Sequence, residues 1–301
     1  MITSPYFILS DHGGLGNRLG PILSGVSVNE KVNARIRFFW GQDETCDIPF
    51  GRLFDSSLTS LSVEEICEIK PYLFLQTGNI MNFFPELQKK MIGGKNYSGE
   101  VRKFGPRRDL LAQEALQKLR GGESVFVDTS HPLRLKECDF SHFPRIFSEI
   151  ISGELLSEAL KIKDKLGLNK NVIGCHMRGT DKGQRLDNKG RIDVWRGVLA
   201  AAEANKDKKF FVCSDEKRYE DKVAHCKNII KFDKTSYPTL IKQRTDNRSW
   251  QRNIHRGEQS VVEALMDMCC LSFCDLSNAQ LAPRRTTFVG TARLISGWEV
   301  K

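Results

Sequence analysis

Short apolar runs rich in β-branched and aromatic residues alternate along this chain with longer stretches of helical period. Residues 6–10 read as a strand, a glycine-rich turn follows, a helix runs from Pro21 toward Glu30, and residues 35–40 read as a second strand. That order predicts a parallel sheet. A helix is predicted over residues 109–120 with Gly121-Gly122 as its stop, a strand over 124–128, and a longer helix over about 152–166 ending at Gly167. A second alternating series follows: strand 172–175, helix 194–205, strand 210–213, helix 219–226, strand 229–230, a polar connection over 245–252, helix 260–273, and a last segment ending at 294–296. Residues 51–108 carry turn markers but no regular period, and no topology is assigned to them. The pattern as a whole predicts an α/β protein of two doubly wound halves facing one another across a cleft, divided into residues 1–166 and 167–301.

Chemistry concentrates at the predicted strand ends. The run from Val172 to Lys182 starts apolar and then places His176, Arg178, Asp181 and Lys182 together. In an open α/β sheet ligands bind at the carboxyl ends of strands, and fixed cations there suit a phosphorylated anion. Strand 210–213 ends in Ser214-Asp215-Glu216, which supplies a helix cap, ligand groups, or both. The helix around Asp267 is apolar over nearly its whole circumference, so it should be buried, and its aspartate should then have a salt-bridge partner or a ligand. Near the start, Gly14, Gly16 and Gly20 match neither the dinucleotide fingerprint nor a Walker loop; a ligand loop and a plain tight turn both fit.

Composition narrows the classes. With 301 residues, 40% hydrophobic and 28% charged, the chain has the balance of a globular protein. The net charge of +9 favours anionic partners, yet the basic residues are spread along the chain without an arginine-rich arm, which argues against a nucleic-acid binder. Peripheral association with an anionic membrane surface is compatible with that charge. The nine cysteines are odd in number and form no C-x-x-C pair, as expected of reduced thiols, and Cys269, Cys270 and Cys274 fit small buried hydrophobes. No apolar run approaches about eighteen residues and the first residues lack a signal pattern, so a cytoplasmic location is expected.

Four motifs, in order, then carry a resemblance. Gly-Gly-Leu-Gly-Asn-Arg at 13–18, His-Met-Arg-Gly-Thr-Asp-Lys at 176–182, Val-Cys-Ser-Asp at 212–215 and the helix Glu-Ala-Leu-Met-Asp-Met-Cys-Cys-Leu-Ser-Phe-Cys-Asp at 263–275 resemble the fucosyltransferase superfamily. The resemblance implies a GT-B fold of two Rossmann-like domains and a GDP-sugar donor bound mainly by the second. It matches His176 and Arg178 to the family's donor-binding His-x-Arg, whose arginine holds the donor diphosphate and acts in catalysis, Asp267 to the residue that reads the guanine base, Asp215 to the acidic position after the second strand, and Thr286-Thr287-Phe288 to a Ser-Ser-Phe segment in which Thr286 and Thr287 meet the phosphates. Gly14, Gly16 and Asn17 become a ligand loop on the acceptor side. Two positions depart from the family: Gly179 stands where many α1,6 enzymes have a second arginine, and Leu186 where they have a glutamate. Either the general base is then Asp187 or Asp181, or the acceptor differs enough that another carboxylate serves. No Asp-x-Asp pair is present, so no metal or other cofactor is expected, and inverting transfer of fucose from GDP-fucose to a glycan hydroxyl is the implied reaction. The alternatives are a transferase for another nucleotide sugar and a non-catalytic nucleotide- or polyanion-binding module.

Overall fold

The computed structural model describes residues 4–11, 13–32, 34–69, 71, 73–76, 89, 100–103, 108–129, 131–133, 138–179, 194–240, 254–278, 281 and 286–299. The chain divides into two compact units, residues 1–41 with 54–150, and residues 42–53 with 151–301.

The first unit is built from β1 (Tyr6–Asp11), α1 (Leu15–Asn29), β2 (Arg35–Trp40), α2 (Val63–Ile69), β3 (Leu73–Gln76), β4 (Glu100–Lys103), α3 (Arg108–Arg120), β5 (Val125–Asp128) and α4 (Phe143–Ile150). Its five strands pair in the order β2-β1-β5-β3-β4, all parallel. Both faces of the central strands are covered, so Phe7, Ile8 and Leu9 of β1 and Val125, Phe126 and Val127 of β5 are buried as continuous apolar runs rather than in alternation. Strands β3 and β4 arise in the stretch that had no legible period. Each is four residues long, too short for alternation to declare itself.

Helix α1 corrects the reading of the glycine turn. It begins at Leu15 with Gly14 as its N-cap, so Gly16, Asn17 and Gly20 lie within helix and Pro21 sits inside it. Two glycines of this helix are explained by close packing. A Cβ on Gly25 would lie 1.8 Å from Leu9 Cδ1, and one on Gly20 would lie 2.9 Å from the Pro132 ring. Helix α4 is a further element without a sequence-stated expectation, although Phe143, Ile146, Phe147 and Ile150 bury one face at helical spacing.

The second unit holds α5 (Gly153–Leu166), β6 (Ile173–Met177), α6 (Val194–Ala204), β7 (Phe210–Ser214), α7 (Lys217–Val223), β8 (Ile229–Ile230), β9 (Thr239–Leu240), β10 (Ile254–His255), α8 (Glu258–Phe273) and α9 (Thr287–Leu294). Strands β6, β7 and β8 form a parallel sheet, and β9 and β10 a small antiparallel pair. Helix α5 ends at Gly167, which is left-handed with φ 64°, as expected. It packs on α8 and so goes with the second unit, whereas the expected division fell after it. Residues 42–53 also belong to this unit: Asp47 N–H donates to the Arg256 carbonyl and Arg256 N–H to that of Glu44.

Strands β6 and β7 run further than their apolar patterns predict. His176 pairs opposite Cys213 and Met177 opposite Ser214, so His176 lies inside the sheet rather than beyond its edge. All nine cysteines are unbridged, and Cys269, Cys270 and Cys274 are buried in and just after α8. Among the described residues no helix is long and apolar enough to cross a membrane.

Candidate functional site in the second unit

The carboxyl ends of β6 and β7 are tied together by their own polar residues. Ser214 Oγ donates to the Met177 carbonyl at 2.6 Å and accepts the Glu216 N–H at 3.0 Å. Asp215 accepts the Gly179 N–H at 2.7 Å, so this carboxylate fixes the turn that carries Arg178. Arg178 itself stands directly after β6 and is half-buried. The glycine after it has a steric cause: a Cβ at 179 would meet the Tyr219 ring at 2.6 Å and the Glu216 carboxyl at 2.7 Å. A second arginine at that position has no room.

His176 is buried, and its ring stacks on Phe288 with centroids 4.7 Å apart and planes 23° from parallel. Phe288 is the second residue of α9, so this stack sets the amino end of that helix beside the carboxyl half of β6. Thr286 is the N-cap of α9, its hydroxyl accepting the Val289 N–H, and Thr287 is the first helical residue. Unpaired N–H groups at a helix start favour an anion.

Asp267 lies mid-way along α8, buried as its surroundings predicted. Its partner is Lys234, from the loop after β8. The ammonium meets Asp267 Oδ2 at 2.7 Å and Glu220 Oε1 at 2.6 Å, and also donates to the Ser214 carbonyl. The three side chains are 4%, 1% and 7% exposed for Lys234, Glu220 and Asp267. Glu220 is further bound by the Ser214 N–H and by the Tyr237 hydroxyl. One turn earlier on α8, Glu263 accepts the N–H groups of Thr235 and Ser236, so two acids of this helix grip the loop that delivers Lys234.

Two carboxylates thus share one ammonium in a desolvated place. Burial pushes the Asp267 carboxyl up to about 7; Lys234 opposes that, and the Glu220 charge adds to it. Burial alone would lower Lys234, but the Asp267 and Glu220 charges outweigh it and hold the ammonium well above its ordinary value. Asp267 Oδ1 is buried and has no hydrogen-bond partner among the described residues.

The structure therefore brings His176, Arg178, Asp215, Asp267, Thr286 and Thr287 into one unit, around the ends of β6 and β7 and the helices α8 and α9. Asp181 and Asp187 lie outside the described residues. Gly14, Gly16 and Asn17 belong to the first unit: Gly14 caps α1, Gly16 is buried, and Asn17 N–H donates to the Gly14 carbonyl. Arg18 beside them is fully buried, donating to the carbonyls of Gly13 at 2.7 Å and Gly41 at 2.8 Å with its guanidinium over Trp40. It binds together the ends of β1 and β2. Sequence reading missed Lys234, Glu220 and Tyr237; the one available signal was the buried acid in α8, which called for a salt-bridge partner or a ligand. For metal binding, Glu203, His225 and Cys226 bring ligand atoms within 4.8 Å of one another at the surface, on α6 and the turn after α7. A cavity lined by Lys170, Asp275, Arg293 and Ser296 lies by the amino end of β6, away from the cluster described here.

No known family's sequence profile matches the chain, and no curated protein matches it. Solved structures do. NodZ alpha-1,6-fucosyltransferase co-crystallised with GDP matches with a TM-score of 0.56 at 16% identity, over 97% of this chain and 93% of that one. Fucosyltransferase NodZ from Bradyrhizobium gives 0.56 at 16% identity, over 97% and 94%. The chain has the NodZ fold. The NodZ enzyme soaked with GDP-fucose matches too, with a TM-score of 0.55 at 15% identity over 97% of this chain and 93% of that one. The agreement spans both units and is a likeness of backbone, since identity is this low.

Proposed function

We propose that the chain is a glycosyltransferase of GT-B type that moves fucose from GDP-fucose to a glycan hydroxyl, with inversion, without a metal and in the cytoplasm. The observation that carries the reading is the convergence in the second unit of a half-buried arginine after β6, a capped helix start beside His176, and a buried carboxylate with one open oxygen. The NodZ fold supports it, because that enzyme is a fucosyltransferase co-crystallised with GDP.

In this reading Arg178 and the amino end of α9 hold the donor diphosphate, and Asp267 Oδ1 accepts a hydrogen bond from the guanine ring N–H. A guanidinium already in place is worth most where negative charge develops, on the phosphate oxygen that leaves. Asp181 or Asp187 removes the acceptor hydroxyl proton, the hydroxyl oxygen bonds to the sugar's anomeric carbon from the face opposite GDP, and the bond to the β-phosphate oxygen breaks with its electron pair leaving on GDP. Asp215 has a positioning role, through the Gly179 N–H.

The test is donor hydrolysis and transfer across a panel of GDP- and UDP-sugars, with GDP binding measured by calorimetry. Turnover of GDP-fucose is expected, and Asp267→Asn should weaken GDP binding by about tenfold or more, the scale of a hydrogen bond to a charged group. Turnover of UDP-sugars alone, or unchanged GDP affinity in Asp267→Asn, would remove the guanine assignment.

A further inference from the structure

A second cluster lies at the opposite edge of the β6-β7-β8 sheet. Arg178 and Asp215 follow the carboxyl ends of β6 and β7, whereas Glu203 stands at the end of α6, ahead of β7, and His225 and Cys226 stand in the turn that enters β8. A Glu203 carboxylate oxygen, a His225 ring nitrogen and the Cys226 Sγ fall within 4.8 Å of one another. Glu203 and His225 are exposed and Cys226 is half-buried, so an ion reaches all three from solvent. The backbone beneath them is fixed by bonds in which their side chains take no part. The Cys226 N–H donates to the Val223 carbonyl and the Ile229 N–H to that of Cys226, which closes the turn on both sides. The Asn228 side-chain amide donates to the carbonyls of Ala202 at 2.9 Å and of Asn205 and Lys208 at 3.1 Å each, binding this turn to the end of α6. Val198 and Ala202 of α6 share one apolar core with Tyr219 and Val223 of α7. The three ligand groups are therefore held side by side by the fold itself, which lowers the ordering cost of binding an ion.

We propose that Glu203, His225 and Cys226 bind one zinc ion, which clips the end of α6 to the turn before β8 and leaves a fourth position for water. Zinc takes imidazole nitrogen, thiolate sulfur and carboxylate oxygen at about 2.0–2.3 Å, so tetrahedral ligands sit about 3.3–3.6 Å apart. Glu203 and His225, being exposed, have room to rotate the remaining distance. A thiolate with an imidazole suits zinc and disfavours calcium and magnesium, hard ions that take oxygen ligands. Binding converts the Cys226 thiol to thiolate and releases its proton to solvent. The role is structural, because ligands that undergo chemistry in an open α/β sheet sit at its carboxyl edge and this trio lies at the amino edge. It is independent of the donor site and of the reaction proposed for it.

The experiment is titration of the untagged, chelator-stripped full chain with Zn²⁺ by calorimetry and with Co²⁺ by absorption spectroscopy. One zinc per chain is expected, with a Kd of about 10 μM or below. Cobalt should give a thiolate charge-transfer band and the strong visible absorption of a tetrahedral site. Cys226→Ser should remove that band, and Cys226→Ser and His225→Ala should each weaken zinc by about a hundredfold, Glu203→Gln by about tenfold. Zinc should raise the Tm of the wild type as its concentration passes through Kd, and Cys226→Ser should lose that response. Cys67→Ser, which removes a thiol of the first unit, should alter none of these. A wild-type Kd weaker than about 10 μM overturns the proposal. So does zinc binding that is equally tight in Cys226→Ser and His225→Ala, or a cobalt band that survives Cys226→Ser, since either puts the ion elsewhere. Should Cys226→Ser fail to fold, His225→Ala and Glu203→Gln change exposed side chains and decide.

Discussion

Under the proposed function Asp267 bears on both stability and ligand binding, and the two should respond to pH in opposite directions. Its folded value is raised from 3.8 to about 7, chiefly by burial. A raised carboxyl binds its proton more tightly when folded, so its contribution to stability is full below about 3.8 and is lost as pH climbs through about 7. Accepting a donor from a base needs the ionised form. GDP affinity should therefore increase as pH rises through about 7 and level off above it, and Asp267→Asn should abolish that component. Calorimetry of both proteins across this range checks it; equal slopes in the two would show that the titrating group is elsewhere. The need for a partner at Asp267 was legible in sequence, because apolar residues surround it on every face of α8. The partner was not: Lys234 is 33 positions away in a loop, and nothing local marks it among so many lysines. Gly179 is similar, since its cause lies in Tyr219 and Glu216, which only the fold brings near.

Elements were legible in type and less so in extent. The helix over 153–166 with its Gly167 stop, the strand over 35–40 and the alternation of the second unit follow the sequence closely. Strand β6 outran its apolar run because His176 is stabilised inside the sheet by pairing and by the Phe288 ring, neither of which hydrophobic pattern encodes. Helix α1 begins at Leu15, earlier than read, with Gly14 as its N-cap where sequence suggested a turn, and inside it Gly25 lies close against Leu9 of β1. That gives a test at this scale. Gly25→Ala places a methyl 1.8 Å from Leu9 Cδ1 in the core, so overpacking should outweigh the small gain from a stiffer unfolded chain and destabilise by about 1–3 kcal/mol. Chemical denaturation reads the loss, and GDP binding by the folded variant should be unchanged because Gly25 belongs to the first unit.

At the scale of the whole molecule the net charge of +9 sets the competing reading, a polyanion binder, against the proposed binding of one nucleotide. The two differ in salt dependence. A contact to many phosphates weakens by about 10³–10⁵ on going from low to moderate salt, whereas a diphosphate held by one arginine and a helix end should lose about tenfold at most. Titration with GDP and with a short RNA at two salt concentrations separates them; steep loss with RNA as the tighter ligand would favour the polyanion binder. The division into units also belongs to this scale. Residues 42–53 leave the unit that precedes them and pair with Arg256 and His255, contacts across more than 200 positions.

By itself the sequence determined the α/β alternation, the strand ends that gather charge and the acid that must not be buried alone, because periodicity and the cost of desolvation act on neighbours along the chain. Tertiary structure alone decided that Lys234 answers Asp267, that Arg18 closes on Gly13 and Gly41, and that residues 42–53 join the second unit. Those choices are made by satisfying buried polar groups at long sequence separation, and such pairings have no period to read.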